Sequence, residues 1–395
     1  MIIFLRLKRF LLITISFALL AISFGTVEVY GEDSLSMYSG SYALTDARTN
    51  RVLVGKKETT PMANASTTKI LTCIVALENC RLDEQVTISK NAANQPKVRL
   101  GMKTGEVYSM EELIYALMLE SYNDCAVAIA EHIGGNVEGF AKLLNEKALE
   151  IGCKDTYFIT PNGLDKENEV SFHHTTAEDL CRMMSYCVWE SPKKDLFLQI
   201  TQTRNYKGFV NRNTFLDQMD GVLSGKTGYT SKAGYCYVAA FEQDGERYCI
   251  ALLACGWPNN KTYKWKDAKA LLNHGSEQYD LVKREEECIQ EQLMVEGYIG
   301  EESFDNLNQV MMLEIEGRGG ALELLLSEKE EIEKEIIVYK DAHLPIEKGQ
   351  VLGVCNYYLD DMLLESIPLV AQEKAESWTW DKNLKMIIME FLSFS

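Results

Sequence analysis

A helical middle enclosed by strand-forming ends is the pattern that most constrains this chain. Near its start, "SYALTDARTNRVLVGKK" (41–57) sets two alternating apolar runs around Asp-Ala-Arg-Thr-Asn, a hairpin signal. Much later, "GYCYVAAFEQDGERYCIALLACG" (234–256) reads as two strands joined by a tight turn at Asp244 and Gly245. Between them "STTKILTCIVALE" (66–78) is apolar on almost every side after its first turn, which predicts a buried helix. "SMEELIYALMLE" (109–120) opens with a capping box from Ser109 to Glu112. "DCAVAIAEHIGG" and "VEGFAKLLNEKALEIG" continue as helices that end on glycine, and "YKWKDAKALLNHGSEQY" supplies one more after the strands. This order suits one α/β domain from about residue 33 to 280.

Beyond it the composition shifts to short β-like runs, "QVMMLEIEG", "EIIVYK" and "KGQVLGVCNYYLDD", a small all-β module. The final stretch sets Trp378, Trp380, Leu384, Ile387, Ile388 and Phe391 against Asp381, Lys382, Lys385 and Glu390. It is too short and too charged to span a bilayer; it suits lying on a membrane surface, or packing on its own β module. At the other end Arg6, Lys8 and Arg9 precede an uncharged run over 10–24, which reads as a secretory signal or an uncleaved anchor. The expected division is a signal at 1–31, a catalytic domain at 32–282, a β-sandwich at 283–372 and an amphipathic helix at 373–395. A formal charge of −18 argues against nucleic acid as a partner. The 11 cysteines are odd in number, lack any C-x-x-C spacing and fall largely in apolar runs, so buried free thiols are expected.

Three short strings carry the chemistry, and each occurs twice. Ser-x-x-Lys appears as "STTK" (66–69) and "SPKK" (191–194), Ser-x-Asn as "SKN" (89–91) and "SYN" (121–123). Lys-Thr-Gly appears at 103–105 and at 226–228. Together these are the set used by penicillin-reactive serine enzymes. A serine nucleophile and its lysine base must meet, and an i,i+3 spacing at a helix start puts Ser66 and Lys69 on one face. "SPKK", with proline and two lysines facing water, reads as a solvated turn or helix start. "SYN" falls between two helices, where a short loop lowers Ser121 and Asn123 into a cleft. The first Lys-Thr-Gly precedes a capping box and reads as a turn; the second is followed by the strand-like "YTSKAGYCYVAAF".

With those choices the sequence resembles the low-molecular-mass penicillin-binding proteins, serine-type D-alanyl-D-alanine carboxypeptidases of peptidase family S11. "ALTDARTNRVL", "FITPNGLD", "HHTTAEDL", "DGVLSGKTGYTSKAGYCYVAAF" and "LPIEKGQVLGVCNYYLDD" extend the likeness over about residues 38–372. Two departures stand out: Asn50 where such hairpins turn on glycine, and Tyr122, bulky enough to narrow the cleft. The resemblance implies a transpeptidase-like α/β fold, an antiparallel sheet with a helical cluster, plus a small C-terminal all-β domain. It implies an exported enzyme at the outer face of the cell membrane that trims D-alanine from peptidoglycan stem peptides, with β-lactams as covalent inhibitors and no metal or other cofactor. Ser66 would be the nucleophile, Lys69 the base, and Ser121 and Asn123 a relay. Lys226, Thr227, Gly228 and Tyr229 would bind substrate, with Arg247 assisting the carboxylate, and the backbone N–H groups of Ser66 and Tyr229 would form the oxyanion hole.

Other classes fit less well. A class A β-lactamase needs a deacylating glutamate, and Ala141 stands in its place in "AKLLN". "GKT" lacks the first glycine of a phosphate loop, because Asp220 occupies that position. Five histidines include no H-E-x-x-H. A catalytically idle cell-wall-binding homologue is the alternative from outside enzymology, and the intact Ser66/Lys69 pair argues against it.

Overall fold

The structure is a computed structural model that describes residues 35–300 and 310–393. The expected export signal lies outside the described residues. The described helices and strands all lie in one compact unit that begins at Tyr38.

β1 (Ser41–Asp46) and β2 (Val52–Lys56) form the expected hairpin, and Asn50 supplies the left-handed backbone, φ 57°, that glycine would otherwise provide. β3 (Val222–Thr230), β4 (Gly234–Gln243) and β5 (Glu246–Leu253) complete a five-stranded antiparallel sheet in the order β2-β1-β5-β4-β3. The first strand therefore pairs with the last, and β3 is left as a free edge. Alternation divides the strands between two faces. Ala43, Val238, Ala240, Cys249 and Ala251 join the helical core. Leu44 and Tyr248 meet Gly275 of α7 (Tyr263–Gln278) on the other face.

That helical core surrounds α1 (Lys69–Asn79), in which Lys69 to Leu77 are all buried. Around it lie α2 (Met110–Leu119), α3 (Asn123–Gly134), α4 (Val137–Ile151), α5 (Ala177–Ser185) and α6 (Lys194–Gln202). Burial of each large apolar side chain here stabilises by about 1.5–3 kcal/mol. The local signals act as expected at two helix ends: Ser109 and Glu112 close a reciprocal capping box, and Gly135 takes a left-handed conformation after α3. At α5 the cap is Thr176, whose hydroxyl accepts from Asp179 N–H. Thr175 exchanges backbone hydrogen bonds with Met62. The cysteines are free and nine of them are buried; burial alone drives the Cys73 thiol far above its usual range.

The β module begins earlier than expected. The boundary placed after residue 282 falls inside β6 (Asp280–Arg284), which pairs with β9 (Leu322–Leu326). Between and beyond them β7 (Glu287–Val295), β8 (Met311–Gly319), β10 (Ile332–Val338), β11 (Val351–Leu359) and β12 (Met362–Ala371) form a sheet in the order β7-β8-β12-β11-β10. The β1–β2 turn docks on β9: Arg48 pairs with Glu323 at 3.2 Å, and the Leu325 N–H donates to Asp46 at 3.1 Å. Last comes α8 (Trp380–Ser393), which leaves Leu384, Ile387, Ile388 and Phe391 exposed. Trp378 precedes it and packs on Tyr298. Among the described residues no helix is long and apolar enough to cross a membrane.

Candidate active site

The turn that carries Ser66 is a 3-10 segment, Ala65–Thr68, leading straight into α1. Ala65 has φ 49°, a left-handed bend that costs a non-glycine residue about 1–3 kcal/mol. Asn64 Nδ2 donates to both Thr67 Oγ1 and Thr68 Oγ1, so the bend is held by buried polar contacts. Across it the chain at Gly163 passes so close that a Cβ there would sit 1.8 Å from the Ala65 carbonyl oxygen. At the first residue of α1, Lys69 Nζ lies 2.9 Å from Ser66 Oγ.

Lys69 is buried and donates to Ser121 O and Asn123 Oδ1 as well, both at 2.9 Å. Asn123 Nδ2 faces the Pro96 carbonyl at 3.3 Å, which fixes Oδ1 toward the lysine. These two partners can only accept. They take two amine hydrogens, so a neutral Lys69 turns its lone pair toward Ser66 Oγ. Burial first, and then the Lys226 ammonium, hold Lys69 well below the ordinary lysine range. Ser121 makes this possible by its own backbone: φ 65° in the link between α2 and α3 aims both its carbonyl and its hydroxyl inward.

From the opposite side Lys226 Nζ donates to Ser121 Oγ at 3.0 Å and to Thr227 O at 3.0 Å. Lys69 reaches the same hydroxyl at 3.3 Å, so one Oγ bridges two amines. Burial pushes Lys226 down to about 7. The Lys-Thr-Gly sits within β3 itself, whereas the sequence reading placed a strand after it; residues 231–233 are a turn. Tyr229 faces Tyr235, whose N–H and C=O bond to Gly256 and Cys255 on the far side. The backbone groups of Tyr229 therefore point outward from the free edge. Gly228 lets this edge touch the nucleophile, since a Cβ would lie 2.9 Å from Ser66 N.

The sequence profile described as D-alanyl-D-alanine carboxypeptidase matches residues 28–254. The chain belongs to that family. A second profile, the penicillin-binding protein 5 C-terminal domain, matches residues 325–377. D-alanyl-D-alanine carboxypeptidase DacF of Bacillus subtilis is 27% identical over 365 residues, 90% of this chain and 90% of its own length. Penicillin binding protein 5 from Haemophilus influenzae shares the fold with a TM-score of 0.68 at 24% identity, over 88% of this chain and 100% of that one. Penicillin-Binding Protein D2 from Listeria monocytogenes, solved in a cefotaxime-bound form, has a TM-score of 0.54 at 24% identity, over 61% of this chain and 98% of its own.

Within this carboxypeptidase fold, one expected site residue is misplaced. Arg247 lies on β5 opposite Glu242, at the hairpin end of the sheet, pairs with that glutamate at 3.3 Å and stacks over Trp189. The cleft is lined instead by Arg212, beside Ser66, Ser121, Thr227 and Tyr229. Arg212 projects from the loop before β3 and is oriented by nearly buried Glu120 at 2.6 Å. Tyr122 does not narrow the cleft; its ring turns edge-on to Phe209. Nor is "SPKK" wholly solvated, because Ser191 is buried and donates to Glu78 at 2.7 Å. His173 is buried behind the nucleophile, where its Nδ1 accepts from Ile159 N–H and its Nε2 meets Thr68 Oγ1 at 2.9 Å.

Proposed function

We propose that Ser66 and Lys69 carry out D-alanyl-D-alanine carboxypeptidase chemistry on peptidoglycan stem peptides. The 2.9 Å contact between a depressed lysine and the serine hydroxyl, with the other amine hydrogens engaged, is the observation that supports it most. Ser66 Oγ attacks the penultimate D-alanine carbonyl while its proton passes to Lys69 Nζ. The amine then returns that proton, through Ser121 Oγ, to the nitrogen of the departing terminal D-alanine. Water cleaves the remaining ester and regenerates Ser66. The terminal carboxylate lies against Lys226 and Thr227, and the peptide extends along the free edge of β3 as an added strand. Backbone N–H groups of Ser66 and Tyr229 stabilise the oxyanion, each worth about 3–4 kcal/mol. Arg212 adds positive charge at the cleft mouth.

β-Lactams present the same carboxylate and a strained amide, so they acylate Ser66 and stay bound. A labelled penicillin should mark the protein, and a pentapeptide should release free D-alanine. Ser66→Ala should abolish both; persistent labelling of that variant would falsify the assignment. The enzyme acts outside the cytoplasmic membrane, with the exposed apolar residues of α8 laid on the lipid surface. A chain ending at residue 377 should stay active yet no longer sediment with anionic vesicles; unchanged sedimentation would rule out the helix as the anchor.

A further inference from the structure

Lys69 opens α1 and Asn123 opens α3, so both helices begin at the catalytic cleft. Their far ends also converge. Cys80 is the residue that ends α1, and His132 lies in the last turn of α3. Glu84 joins them from the loop after α1, and one ligand atom from each of the three lies within 4.8 Å of the others. Among the described residues this is the one such grouping of three. We propose that Cys80, Glu84 and His132 form a zinc site that clamps the distal ends of α1 and α3.

The chemistry of the three groups selects the ion. A thiolate and an imidazole are poor ligands for Mg²⁺ or Ca²⁺, while a carboxylate disfavours Cu⁺; sulfur, nitrogen and oxygen together suit Zn²⁺. Tetrahedral zinc with bonds of about 2.0–2.3 Å holds its ligand atoms about 3.4–3.8 Å apart. His132 Nε2 already stands 3.1 Å from Glu84 Oε2, so side-chain rotation suffices to seat the ion. The carboxylate is held from behind: Glu84 Oε1 accepts the Arg81 N–H at 2.8 Å, leaving Oε2 for the metal. The Glu84 carbonyl accepts from Met110 N–H, tying the loop to the start of α2. The Arg81 guanidinium pairs with Asp83 at 3.0 Å.

Two further features favour a cation here. Both helices present their C-terminal ends, each carrying a partial negative charge. Glu84 and His132 are each about one-third exposed, at 32% and 28%, which leaves room for a water as fourth ligand. On binding, the Cys80 thiol gives its proton to solvent, and His132 coordinates through Nε2 with its proton on Nδ1. The eleven residues of α1 put this site about 16 Å from Lys69, too far for the ion to touch substrate. Its role is to fix the two helices whose other ends hold the base and its orienting amide.

The test uses the full chain, stripped with a chelator and titrated with Zn²⁺, then with Co²⁺. One equivalent of Zn²⁺ should bind, release about one proton and raise the melting temperature. Co²⁺ should give a thiolate charge-transfer band. Cys80→Ser and His132→Ala should each weaken binding by more than the 10–100-fold that loss of an outer partner costs. With zinc absent, both variants should acylate with penicillin at the rate of the metal-free parent chain, which shows that they are folded. A Cys288→Ser variant, lacking the exposed thiol, should bind zinc unchanged. Absence of zinc binding, or binding that survives both His132→Ala and Cys80→Ser, overturns the proposal.

Discussion

At 103–105, Lys-Thr-Gly makes a turn: Gly105 has φ 87°, Lys103 is exposed, and the Lys103 N–H donates to the Glu106 carboxylate at 2.8 Å. At 226–228 the same three residues lie extended in β3, with Lys226 buried and its amine on Ser121. The difference is one of company. The first copy is held by a residue three positions away; the second meets a hydroxyl 105 positions away in sequence. Local spacing is enough to make a turn, whereas a catalytic group requires the fold to bring distant segments together.

The largest separation between the copies should come from their lysines. Lys226→Ala removes a buried charged partner of Ser121, a loss of about 2–5 kcal/mol. Activity measured as kcat/KM on a pentapeptide should fall roughly 10²- to 10³-fold, while Lys103→Ala should leave it within about twofold. If both variants behave alike, the contrast between the copies is wrong.

A smaller but more diagnostic contrast lies in the glycines. Gly228→Ala would press a methyl against Ser66 N at 2.9 Å and against Asn64 O at 3.1 Å. The nucleophile or β3 must then shift, and a displacement approaching 1 Å costs about 10²-fold in rate. Acylation should slow about 10- to 100-fold. Gly105→Ala meets nothing within 4 Å but needs a left-handed backbone. It should cost about 1 kcal/mol of stability and leave acylation unchanged. Stopped-flow acylation and denaturant melts on both variants separate the two effects.

The same rule governs what could be read from the sequence. Helix ends were legible because a cap and its partner lie within a turn, as with Ser109 and Glu112. The three motifs were legible because chemistry fixes their residue types. Arg247 was misjudged although its partner Glu242 faces it across the same hairpin turn; the Trp189 ring over which it stacks lies far off in sequence and gave no signal. Arg212 gave no signal, since the Glu120 that orients it is 92 residues away. Tyr122 gave a false one: bulk was visible, but the direction of its ring depends on Phe209. The edge position of β3 follows from strand order, which pairs residues two hundred apart.

His173 tests the region behind the nucleophile. Burial pushes its imidazole down to about 3, whereas in an unfolded chain it titrates near 6.5. Below about pH 6.5 the unfolded chain therefore gains a proton that the folded one refuses. The stability this contributes is complete above pH 6.5 and is lost as pH falls toward 3. Between pH 7 and pH 5 the loss amounts to about 2 kcal/mol. His173→Asn keeps an acceptor for the Ile159 N–H but cannot titrate, so its urea midpoint should change less over that interval. At the first copy the Lys103 N–H holds the exposed Glu106 carboxylate below its usual range, outside this window. Glu106→Gln should leave the slope between pH 7 and 5 as it was. An unchanged slope in His173→Asn would instead mean that the folded protein takes up a proton at His173 as readily as the unfolded chain does, so that its burial sets no pH dependence.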